Sequence, residues 1–309
     1  MERPACDLCG ANATETLYAG ADWKQPVPDR IALVRCRRCG LMYLDPRPGS
    51  GEIAAYYPPD YEPFRPAIED ERSGLMRWMR RRKLIQRRML IERYSGRKTG
   101  RVLDVGCATG LFLHEMELGG WQTAGVELAA SATEYARVRF GLDVFQGQLD
   151  QAPFSPASFD VVTFWDVLEH TFSPSAELTR AARLLRPGGL IAINIPNWHS
   201  LDRRLFGAHW IGLDPPRHLY VFTRATLAAL LDKAGLQVLD WLCFVPSYFS
   251  FAISLERQLR ATSPRFAQWA RPALNLPGAR LVFEPWFAAA NWLKRGGVIA
   301  VFARKGERA

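Results

Sequence analysis

The 309-residue chain has no apolar run long enough to span a bilayer, since charge or proline breaks every long hydrophobic stretch, and this excludes a helical membrane span. It has no charged-then-apolar leader, and two of its six cysteines fall within the first nine residues, so the expected location is cytoplasmic. There is no internal repeat and no low-complexity tract. Acid is nearly absent from residues 72–101: Glu92 alone faces twelve Lys or Arg. That stretch carries +11, so the net +9 of the whole is local, and general affinity for nucleic acid does not follow from it. With 48% hydrophobic residues, the chain can bury one large core and carry appendages.

Cysteine is sparse, but four of the six are paired in two matching turns, Cys6-x-x-Cys9-Gly and Cys36-x-x-Cys39-Gly, about 26 residues apart. Each turn presents two thiolates to one ion, and the glycine lets backbone N–H groups turn toward sulfur. Disulfides fit a cytoplasmic chain poorly. The expectation is a structural Zn2+ held by Cys6, Cys9, Cys36 and Cys39, with no ligand position left open for catalysis, in a ribbon of residues 1–45 too poor in apolar content to fold unaided. Cys243 reads as a small buried hydrophobe.

The phosphate-binding spelling G-x-G-x-x-G is also missing. In its place RVLDVGCATG (101–110) runs an apolar strand into Asp104 and a turn of Gly106, Cys107, Ala108, Thr109 and Gly110, followed by a helix. Asp104 would repel a phosphate and suits a sulfonium with an ammonium group. A second strand ends at Glu127, whose carboxylate can accept both ribose hydroxyls of an adenosine ligand. Alternating strand and helix patterns then continue through Asp160 and RLLRPGG, where Pro187, Gly188 and Gly189 mark a turn. Such alternation implies an α/β, doubly wound, mostly parallel sheet.

On these motifs the chain resembles the class I S-adenosylmethionine-dependent methyltransferases, over about 150 residues, with Ala108 in place of the middle glycine of that family's first motif. The resemblance implies S-adenosylmethionine as cofactor, with contacts at Asp104, Gly106, Cys107, Gly110, Glu127, Gln148, Leu149 and Asp166. Gln148 stands where the family often has an acid, and its carbonyl can still accept from the adenine amine. The segment WDVLEHTFSP resembles the ubiquinone-biosynthetic O-methyltransferases. By that resemblance His170 is a general base, or Glu169 and His170 join a second divalent ion on a catechol-like acceptor; equally, both hold the loop together. Asp166 lies beside the methyl group. His218 is a second base candidate or a core histidine bonded to a carbonyl, and Arg217 pairs with an acidic acceptor or a surface acid.

Residues 46–98 read as a connector, with Tyr56, Tyr57 and Tyr61 as lid or packing, and a basic amphipathic helix with apolar Leu75, Trp78, Met79, Ile85 and Met89. The methyltransferase core is expected over 99–240, with a substrate insertion near 197–222 and a helix capped by Thr223. Residues 241–309, rich in aromatics, form a lid, a homodimer face or a membrane-contact surface, and end in a closing strand. Two functions remain. One is methyl transfer to oxygen or carbon of a small-molecule acceptor, such as a natural product, quinone, lipid or sugar, with peripheral contact to the inner membrane face. The other is ribosomal RNA base methylation, in which ribbon and basic helix hold the nucleic acid.

Overall fold

The computed structural model describes residues 1–19, 31–57, 68, 74–244, 248–263, 265–266, 274 and 279–307. Tyr61, Trp269 and the side chains of Leu75 and Phe249 lie outside that set. The runs FDVVTFW and LIAINI are buried at every residue, as strands covered on both faces must be. They form β7 (Phe159–Trp165) and β8 (Leu185–Pro196), parallel to β4 (Arg101–Val105), β5 (Gln122–Glu127) and β6 (Val144–Gln146). Two antiparallel strands, β10 (Leu236–Leu242) and β11 (Val298–Lys305), complete a seven-stranded sheet of order β10-β11-β8-β7-β4-β5-β6. Because β4 is flanked by β5 on one side and β7 on the other, the winding reverses there, and a crevice opens at the carboxyl ends of these strands.

Helices α1 (Gly74–Ser95), α2 (Leu111–Leu118) and α3 (Ala130–Phe140) cover one face over a core that includes Ile91, Phe112, Met116 and Phe302. The other face carries α4 (Pro174–Leu184) and α6 (Arg224–Lys233), the latter opened by a reciprocal Thr223–Thr226 capping box. Beyond β8 a short helix, α5 (Leu201–Phe206), packs with α7 (Tyr248–Thr262) and α8 (Ala279–Trp292) through Phe206, Phe251, Phe283 and Phe287.

The cysteine region forms β1 (Thr14–Ala19), β2 (Ala32–Cys36) and β3 (Met42–Leu44), a meander whose fourth strand is β9 (Tyr220–Val221), from far along the chain. Its apolar residues Ile31, Leu33, Leu41 and Leu44 belong to the same buried cluster as Phe159 and Ile193 of the large sheet.

Two local expectations change. Trp78 and Met89 of α1 face solvent, whereas Leu84, Leu90, Ile91 and Tyr94 pack inward, so among the described side chains the packed apolar stripe is offset from the expected one. The Pro187–Gly189 turn is absorbed into β8 as a bulge, with the register against β7 shifting between Phe159 and Val161.

Candidate active site

At the end of β4 the chain folds back on β5: the amides of Gly106 and Cys107 both donate to Val126 O, at 2.8 and 3.1 Å. Gly106 (φ +70°) and Gly110 (φ +78°) hold the turn, and neither position has room for a side chain. A Cβ at Gly106 would lie 2.6 Å from Val167 Cγ2, and one at Gly110 would strike Leu142. Ala108 takes φ 48°, so the alanine that replaces the family's glycine still adopts the left-handed conformation. Glu127 faces this turn, accepting from Ala108 N at 2.9 Å and Ala129 N at 2.8 Å. Asp104 is buried and accepts from the Thr163 hydroxyl at 2.6 Å. Desolvation pushes its carboxyl up to about 7, against the opposing pull of that bond and of Arg87. Gln148 is exposed at the crevice rim and Leu149 is buried beside it.

Asp166 leaves β7 with φ 61°. Asn194 Nδ2 donates to it at 2.5 Å, and Arg87, reaching over from α1, lies 3.4 Å from its second oxygen. The same guanidinium lies 4.6 Å above the Trp165 ring, which gives the crevice a cationic roof. Trp165 Nε1, Glu169 Oε2 and Asn194 Oδ1 are buried polar atoms with no hydrogen-bond partner among the described residues. Groups of this kind are normally satisfied, so a ligand that supplies partners fits here.

One helical turn beyond Asp166, Leu168–His170, the structure brings Glu169, His170 and His218 together, with one ligand atom from each within 4.8 Å of the others. The imidazole rings meet edge to face, centroids 4.6 Å apart. Each Nδ1 lies against a backbone carbonyl: His170 against Arg217 O at 3.0 Å, His218 against Gly212 O at 2.9 Å. In the tautomer that donates there, each Nε2 keeps its lone pair. Desolvation, reinforced by His218, pushes His170 down to about 3, and His218 is lowered mainly by desolvation too. Desolvation, reinforced by Asp166, pushes the Glu169 carboxyl well up, so the trio is two imidazoles and a buried carboxyl group close enough to share one ion. The Tyr57 hydroxyl stands 2.9 Å from His170 Nδ1. Arg217 is held by Asp214 in a bidentate pair at 2.7 and 2.9 Å and donates to Tyr56 O at 3.3 Å.

Behind this loop lie the four paired cysteines, all free thiols, with Cys6 and Cys39 sulfurs 3.4 Å apart and those of Cys9 and Cys36 3.6 Å apart. Amides of Leu8 and Cys9 point at Cys6 Sγ, those of Arg38 and Cys39 at Cys36 Sγ. Spacings below 4 Å with N–H donors on sulfur suit one tetrahedral ion. The cluster is tied to the site. Asp7, between the first two cysteines, accepts from the Ser173 hydroxyl and Ser175 amide at 2.7 Å each, and from the Ser175 hydroxyl at 3.0 Å. Leu44 N donates to Leu219 O, and Leu219 N donates to Glu169 O.

Arg87, Tyr57 and Asn194 have site contacts that the sequence concealed. Arg87 is one of twelve cations in its stretch with nothing in the spacing to single it out, and Tyr57 reaches His170 only through the tertiary path of the connector.

A model of the methyltransferase domain family matches residues 76–240. The ubiquinone biosynthesis O-methyltransferase of Xanthomonas euvesicatoria pv. vesicatoria is 36% identical over 152 residues, 45% of this chain and 64% of that protein. The enzyme of the same description from Thiobacillus denitrificans is 32% identical over 149 residues, 44% of this chain and 64% of that one. The chain thus spans just under two thirds of the length of these curated relatives. Haemonchus contortus phosphoethanolamine N-methyltransferase 2, solved in complex with S-adenosyl-L-methionine, superposes with a TM-score of 0.50 at 19% identity, covering 72% of this chain and 52% of that one. At that identity the likeness is one of fold alone.

Proposed function

We propose, since this chain belongs to the methyltransferase domain family, that it transfers a methyl group from S-adenosylmethionine to an oxygen or carbon of a small-molecule acceptor. The observation that carries this reading is Glu127, whose oxygens are engaged by backbone amides alone as it faces the Gly106–Gly110 turn. There it can accept both ribose hydroxyls, while the turn's amides and Asp104 receive the amino-acid end and Arg87 holds the carboxylate. The relatives described as ubiquinone biosynthesis O-methyltransferases favour oxygen over carbon as the acceptor atom.

Methyl transfer is an in-line displacement on an already activated sulfonium, so the protein has to align the acceptor and stabilise its deprotonated oxygen. Glu169, His170 and His218 would hold a divalent ion, which when bound lowers the pKa of an acceptor hydroxyl as a Lewis acid. Asn194 and Arg87 keep Asp166 turned toward the crevice, and Tyr57 closes over His170. Cys6, Cys9, Cys36 and Cys39 would hold a structural Zn2+. The RNA reading gains no support from α1, whose Arg87 and Arg88 are engaged internally with Asp166, Glu92 and Glu115.

Calorimetric titration of the zinc-loaded protein with S-adenosylhomocysteine tests this. Micromolar binding is expected, and Glu127→Ala should weaken it by about 2 kcal/mol or more, the worth of two hydrogen bonds to a charged acceptor. Folded wild type that binds nothing would remove the proposal.

A further inference from the structure

Helices normally turn one stripe inward and a polar face to water. Helix α8 does not. Phe283, Phe287 and Ala290 pack inward, while every exposed side chain described on the helix is also apolar: Val282, Pro285, Trp286, Ala288, Ala289 and Trp292. Val282 is 76% exposed and Trp292 84%, and the chain continues into exposed Leu293. Trp286 Nε1 donates to Asp202 at 3.3 Å, which sets α8 beside α5, where Leu205 is again exposed. An apolar strip across two neighbouring helices marks an interaction surface.

Cations border the strip. Arg204 on α5, and Lys294 and Arg295 just past α8, are exposed. Lys294 pairs with Asp240, whereas Arg204 and Arg295 make no ion pair among the described residues. Tryptophans on an apolar face with free arginines at its edge match the boundary between acyl chains and anionic headgroups. A second copy of the chain fits less well, because a face-to-face pair would bring like charges together. Helix α5 follows directly from the carboxyl end of β8, the sheet edge that also carries Asp104, Glu127 and Asp166, so this surface and the crevice share one end of the molecule.

We propose that the outer face of α8, with Leu205 and Arg204 of α5, docks this protein on an anionic lipid surface. The docking does not depend on the methyltransferase activity and can be measured without substrate.

The test is sedimentation of the full zinc-loaded chain with phosphatidylcholine vesicles, with and without phosphatidylglycerol. Binding to the anionic vesicles alone, released by high salt, is expected. Each of Arg204→Gln and Arg295→Gln should weaken it about fivefold, from about 1 kcal/mol per cation near such a surface. Trp292→Ser should reduce it roughly tenfold through lost apolar insertion. All three side chains are exposed, and circular dichroism confirms that the variants are folded. No sedimentation of wild type, or equal sedimentation of wild type and Trp292→Ser, overturns the proposal. So does a wild-type dimer on size exclusion that Trp292→Ser dissolves, which would give the face to a second copy.

Discussion

Asp104 shows how a single residue couples the cofactor crevice to pH. In an unfolded chain its carboxyl titrates near 3.8, and in the fold desolvation raises it to about 7. Between these values the native state binds the extra proton, so this group's contribution to stability falls as pH rises through the interval, with no differential below about 3.8 and the full cost above about 7. Asp104→Asn should remove that slope. Thermal melts of ligand-free protein from about pH 4 to pH 8 should show the variant gaining on wild type by up to a few kcal/mol at the alkaline end. Parallel curves for the two proteins would show that Asp104 is not destabilised by its burial. The same substitution should weaken cofactor binding, because a cationic sulfonium and ammonium favour the ionised carboxylate.

At the scale of elements, the decisive join is between the cysteine ribbon and the loop of Glu169, His170 and His218. Asp7 adds a carboxylate acceptor to the start of α4, where the Ser173 hydroxyl already caps the helix, and β3 pairs with β9 two residues beyond His218. Arg47, buried, lies 5.0 Å from the Phe172 ring centroid and donates to the Tyr220 hydroxyl at 3.0 Å, a second clamp from the ribbon side. Asp7→Ala should cost about 1–3 kcal/mol, chiefly by stripping hydrogen bonds from part-buried hydroxyls. Hydrogen exchange should rise at residues 168–176, while affinity for S-adenosylhomocysteine is retained. Unchanged exchange there would mean that the ribbon is held by its apolar contacts alone. Element types were legible in the sequence wherever periodicity was strong: β4, β5, β7 and the Thr223-capped α6 come straight from apolar patterning and turn chemistry. The packed stripe of α1 was not, because several of its apolar residues serve no core, and only docking decides which of them are covered.

For the whole molecule, zinc and fold form one thermodynamic unit if the ribbon needs its ion, since the ribbon's apolar residues lie in the main buried cluster. A strong chelator should therefore lower the melting temperature of the entire chain by several degrees, in a single transition, and not release an independently melting amino-terminal unit. Two separated transitions in calorimetry would contradict this. Among the described residues no helix is long and apolar enough to cross a membrane.

The sequence by itself determined the α/β class, the strand-turn-helix cradle with Asp104 and Glu127, and the four-cysteine set, because each of these rests on residues close in the chain whose local chemistry admits few alternatives. Tertiary structure decided the rest. Tyr57, Arg87, the Asp166–His170 stretch and His218 come to the site from four separate segments of the chain, and β9 joins a sheet whose other strands lie nearly 180 residues earlier. Which charge faces which, and which apolar side chain is covered, follow from packing across the sheet edge, an interaction that periodicity along the chain does not encode.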